Sequence, residues 1–105
     1  MKADLEYEYN NWINHLTNIK KLSQNSVISY KNDLSKFLIF FQDYIEKNIG
    51  LKEIENIEIS EFRSFLTHRR NSEISSNSIA RNISAVKSFF RFLIKNNKIK
   101  ESSVF

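Results

Sequence analysis

The sequence predicts an all-α domain on three observations. Proline is absent, the single glycine is Gly50, and apolar residues recur at helical spacing through four stretches. Tight β-turns draw on Gly and Pro, so their near absence leaves long helices as the natural organisation. The first predicted helix carries Leu5, Tyr9, Trp12, Ile13, Leu16 and Ile19 and ends near Lys20 and Lys21, whose charges suit a helix carboxyl end. The second follows a cap at Ser23 or Asn25, runs through Tyr30, Leu34, Phe37, Leu38, Phe41 and Ile45, and stops at Asn48-Ile49-Gly50. Residues 51–59 are acidic without a sustained period and read as a connector. Ser60 is the expected cap of a third, short helix with Phe62, Phe65 and Leu66, reaching about Arg70. After the polar stretch 71–76, Ser75 or Ser76 caps a fourth helix through Ile79, Ile83, Val86, Phe90 and Leu93 to about Asn96. The domain is thus expected over 1–97, with 98–105 the start of a linker.

A chain of 105 residues supports one core, and 41% hydrophobic residues with nine Phe supply the apolar surface for it. Trp12, Tyr30, Phe37, Phe41, Phe65, Ile83, Val86 and Phe90 are expected to share that core. No cysteine is present, which excludes disulfides and thiolate metal sites. No apolar run has the length of a membrane span, and the start lacks the order of a secretory signal, so a cytoplasmic location is expected and no membrane partner.

The net charge of +4 is too small to name a partner, but its distribution is uneven. Between Glu73 and Glu101 there is no acid, while Arg81, Lys87, Arg91, Lys95, Lys98 and Lys100 fall there; 43–61 holds six acids against Lys47 and Lys52. At 100° per residue the fourth helix aligns Asn77, Arg81, Ser84, Ser88, Arg91 and Lys95 in one strip, with Lys87 at its margin. The second helix aligns Asn25, Ser29, Asn32 and Lys36 opposite its apolar stripe. Arg and Lys neutralise phosphates, Asn pairs with adenine, and Ser adds short contacts without blocking approach. Taken alone, such strips also fit a solvated face. Phe40 falls beside the polar stripe, where packing against an absent domain is the expectation.

Nothing in the sequence suggests catalysis by this chain. His15 and His68 lie on separate helices without metal-ligand or nucleophile spacing, and the four tyrosines read as packing residues. No metal site and no cofactor is expected.

Two stretches carry a family resemblance. Residues 22–34 (LSQNSVISYKNDL) and 78–93 (SIARNISAVKSFFRFL) resemble the two signature helices of the core-binding, SAM-like domain of tyrosine recombinases and phage integrases, in the Xer branch. Phe89-Phe90 and the preceding 62–66 resemble the XerC side of that branch more than the XerD side. The resemblance implies a compact four-helix SAM-like domain that forms half of a clamp on double-stranded DNA, its second and fourth helices crossing the major groove. By position it implies groove-facing roles for Asn25, Ser26, Ser29, Asn32 and Lys36, and for Asn77, Arg81, Ser84, Lys87, Ser88 and Arg91; Tyr30, Asp33 and Leu34 match the family as fold-holding residues. It places the nucleophile and phosphoryl-transfer residues in a catalytic domain outside this chain, and adds recombinase protomers in a DNA-bound tetramer as partners of the parent, the isolated domain being monomeric. Lys87 departs from the usual Arg, keeping the charge and losing a bidentate fork; 101–104 replaces the usual Asn-Pro. A helical protein-interaction module, working through 43–61, is the rival reading.

Overall fold

The computed structural model describes residues 1–72, 75–102 and 104–105. Five α-helices follow in order: α1 (Ala3–Asn14), extended by a π-helical turn (His15–Ile19), α2 (Gln24–Ile45), α3 (Leu51–Glu55), α4 (Ile59–Asn71) and α5 (Ser76–Lys95), with no strand among the described residues. Of the polar stretch 71–76, Glu73 and Ile74 lie outside the described residues, as does Ser103 of the tail.

The capping alternatives resolve to Ser23, whose Oγ accepts the Ser26 N–H at 3.2 Å, and to Ser75, whose Oγ accepts the Ser78 N–H at 3.1 Å. α4 starts earlier than expected. Its N-cap is Glu58, not Ser60, because the Glu58 N–H donates to Glu61 Oε1 at 2.9 Å and so closes half of a capping box. α2 ends four residues before Gly50, at Glu46 in the left-handed region (φ 55°), with Lys47 N–H donating to the Gln42 carbonyl. α5 closes the same way at Asn97 (φ 57°), where Lys98 N–H reaches the Leu93 carbonyl at 2.9 Å. The connector 51–59 contains the one-turn helix α3, which Ile54 and Ile57 pin into the core.

α2 and α5 pack along much of their length, and α1 and α4 flank them. Phe37 sits at the centre, with the rings of Phe41, Phe62, Phe65 and Phe90 at 5.3–6.2 Å. Trp12 is fully buried against Tyr30 and Phe89, and its indole N–H donates to Ser88 Oγ at 3.2 Å. All eight expected core residues join this cluster, Tyr30 and Ile83 at its half-buried margin. Phe40 packs on α4, its ring 5.6 Å from Phe65 and 5.1 Å from His68. The stretch read as the start of a linker also touches the core: Ile99 is buried, Phe105 lies 5.2 Å from Phe62 and 5.4 Å from Phe90, and Lys100 N–H donates to Glu55 Oε2.

Candidate nucleic-acid interface

Two adjoining clefts run along the junction of α2 and α5. The first, about 420 Å³, is lined by Asn25, Ser26, Ser29, Tyr30 and Asp33 from α2 and by Arg81 and Ser84 from α5. The second, about 530 Å³, takes Tyr30 and Ser84 again, adds Lys87, Ser88, Arg91, Phe92, Lys95 and Asn96, and is walled by His15 and Lys20 from the end of α1. Tyr30 and Ser84 line both, so the two form one groove.

Of the eleven residues singled out in the sequence, eight line this groove: Asn25, Ser26, Ser29, Arg81, Ser84, Lys87, Ser88 and Arg91. Asn32 and Asn77 are exposed on α2 and α5 but line neither cleft, and Lys36 borders a different hollow beside Phe40, His68 and Arg69. Ser88 is committed from within, since its Oγ accepts the Trp12 N–H. Sequence reasoning missed the contribution of α1. His15 and Lys20 reach the groove from the π-helical turn, and the Lys20-Lys21 pair was legible only as a helix-end signal. Lys95 was visible as the last member of the α5 strip, one turn beyond Arg91.

The electrostatics of the second cleft are one-sided. Lys20, Lys87, Arg91 and Lys95 make no ion pair among the described residues, whose pairs are Lys2–Glu53, Arg81–Asp33 and Lys98–Glu8. His15, 5.3 Å from the Phe92 ring, has its pKa lowered from the usual 6.5 by burial first and then by Lys20 and Lys95. Unpaired cations interleaved with hydroxyls and amides are suited to anionic oxygens held in a row. No helix among the described residues is long and apolar enough to cross a membrane.

Comparison with known proteins matches the same span. The model of the phage integrase N-terminal SAM-like domain covers residues 9–97. Tyrosine recombinase XerC of Brucella suis biovar 1 (strain 1330) is 34% identical over 98 residues, which is 93% of this chain and 31% of that protein. Tyrosine recombinase XerC of Rickettsia massiliae (strain Mtu5) is 35% identical over 96 residues, 91% of this chain and 32% of its own length. The chain therefore spans about a third of the length of the curated relatives it matches, and no catalytic domain is matched. No solved structure matches it. The all-α architecture and the match over 9–97 together place the chain in the phage integrase N-terminal SAM-like domain family, with XerC tyrosine recombinases among its relatives.

Proposed function

We propose that this domain grips double-stranded DNA through the α2/α5 groove as the non-catalytic, N-terminal part of a Xer-type tyrosine recombinase. The carrying observation is the set of four cations, Lys20, Lys87, Arg91 and Lys95, gathered in one groove with no carboxylate paired to any of them among the described residues. Like charges gathered in the second cleft cost repulsion in the free protein, which phosphates relieve by neutralising the cations and releasing counterions. The parent protein, on this reading, acts in the cytoplasm with other recombinase protomers, in chromosome dimer resolution or DNA integration, and the cutting and rejoining chemistry resides outside this chain.

The test is a titration of labelled duplex at several salt concentrations. If about four side chains neutralise phosphates, log affinity falls against log salt with a slope near roughly −3.6, and Arg91→Ala flattens it by about 0.9. Backbone amide shifts should follow the groove, on α2, α5 and the end of α1. Shifts confined to 43–61, with affinity indifferent to salt and to Arg91→Ala, would reject DNA binding in favour of a protein partner.

A further inference from the structure

Arg81 differs from the other cations of the groove because a carboxylate lies behind it. Asp33, 3% exposed, sits on α2 with Oδ2 at 3.5 Å from Arg81 Nε and Oδ1 accepting from Asn82 Nδ2 at 2.9 Å. Asn82 is 1% exposed, and its Oδ1 accepts from Arg69 Nε of α4 at 3.0 Å. The chemistry leaves one orientation for this amide. Its NH₂ must face the carboxylate and its oxygen must face the guanidinium, since a carboxylate only accepts and a guanidinium only donates. Asp33 is therefore clamped from α5, Asn82 from α4, and Arg81 is held from beneath by a group that cannot turn away. A buried carboxylate without such partners is costly, so the chain Arg69, Asn82, Asp33, Arg81 stands or falls as a unit.

Two consequences follow for Arg81, whose side chain is 61% exposed and lines the first cleft. Its charge is offset by Asp33, so a phosphate gains less from it than from Arg91 or Lys87. Asp33 draws the guanidinium inward by its Nε, at 3.5 Å, and neither Nη nitrogen has a partner among the described residues. A phosphate contact needs charge and tolerates swivel, whereas reading a base needs a fork held at one angle. The Nη pair matches the O6 and N7 acceptors of guanine in the major groove.

We infer that Arg81 is a guanine-reading residue of the groove and that Asp33, locked by Asn82 and Arg69, is the positioning residue that aims it; this rests on the DNA-gripping reading above. Asp33 thereby exchanges non-specific attraction for discrimination.

The 105-residue chain is mixed with duplexes randomised over their central base pairs, and the bound fraction is sequenced. A guanine preference of roughly 5- to 150-fold at one position is expected, lost when that guanine is replaced by 7-deazaguanine. Arg81→Ala should erase the preference, because no donor is left to reach the O6 and N7 of guanine. Asp33→Asn should weaken the preference and at the same time steepen the salt slope, by up to roughly 0.9, as the Arg81 charge is released. A merely structural Asp33 would lower both together. Arg91→Ala should lower affinity for all duplexes and spare the preference. Duplex binding without a guanine preference, or a preference that survives Arg81→Ala, overturns the inference, as does a folded Asp33→Asn domain with preference and slope unchanged. If Asp33→Asn does not fold, Arg81→Ala and 7-deazaguanine decide. Failure of the unaltered domain to bind any duplex at low salt would instead overturn the DNA-gripping reading itself.

Discussion

The groove between α2 and α5 and the acidic stretch 43–61 treat their charges in opposite ways. Three of the acids in that stretch are spent on the fold: Glu53 accepts the Gly50 N–H at 2.8 Å and pairs with Lys2, Glu61 accepts the Glu58 N–H, and Glu55 accepts the Lys100 N–H at 2.7 Å. Each ties a helix start or the C-terminal tail to its neighbours. In the groove, Lys20, Lys87, Arg91 and Lys95 form no ion pair among the described residues. The difference teaches that net charge is a poor guide to partners, and that the better guide is whether a charged group already has an internal one. Carboxylates bonded to backbone N–H groups belong to stability. Cations left together without partners are a cost to the free domain, sustained where a ligand offsets it.

Removing the core beneath both regions has the largest expected effect. Phe90 is fully buried between Phe37 and Phe105, and Phe90→Ala should cost about 3–5 kcal/mol in chemical denaturation. A loss of that size takes much of the stability of a small domain and should abolish groove and acidic side alike. Retention of the full unfolding free energy would contradict the packing described.

Gly50→Ala perturbs the acidic side alone. Gly50 has an ordinary extended backbone, φ −131°, so its requirement is space: a Cβ there would lie 2.8 Å from Asp4 Oδ1 and 2.9 Å from Lys2 Cδ. Asp4 also accepts the Leu5 and Leu51 N–H groups, and making room strains those contacts. The expected loss is about 1 kcal/mol, at the lower end for overpacking because side-chain ends can shift. The salt dependence of DNA binding should not change. A change in slope equal to that from Arg91→Ala would show that the two regions are not separable.

What was legible in the sequence follows the length of each periodic signal. The class, both long helices, the core residues and most of the groove came from repeats sustained over several turns, and the two signature stretches tied them to a family. α3 escaped because a single turn carries too few apolar positions to reveal a period. The α2 stop was misplaced because Glu46 adopts the left-handed conformation that Gly50 was expected to supply, while Gly50 serves close approach instead. The helical wheel put Ser88 and Arg81 on a polar strip without showing that Trp12 and Asp33 hold them from below, since those contacts span 76 and 48 residues of sequence. His15 and Lys20 were missed for the same reason: their place in the groove depends on how α1 crosses α5.

The smallest expected effect, and the finest test of the contrast, is a pH dependence at His15. Burial, Lys20 and Lys95 all lower its pKa below the usual 6.5, so the fold disfavours the imidazolium. The unfolded chain takes up the proton at higher pH than the folded one. The stability contributed is therefore complete above about pH 6.5 and is lost as pH falls through the folded-state value. If the groove takes DNA as proposed, phosphates reverse the balance: they neutralise Lys20 and Lys95 and add negative charge beside the imidazole, which raises its pKa in the complex. Binding then takes up a proton, so DNA affinity should rise as pH falls below about 7, by less than tenfold per pH unit because one group is involved. Acid thus weakens the free fold slightly while it strengthens the complex. His15→Gln should remove most of both trends and leave affinity at the alkaline end of the range nearly unchanged. Affinities of the two proteins measured across that range decide the matter, and parallel pH profiles would show that phosphates do not approach the α1 wall of the groove.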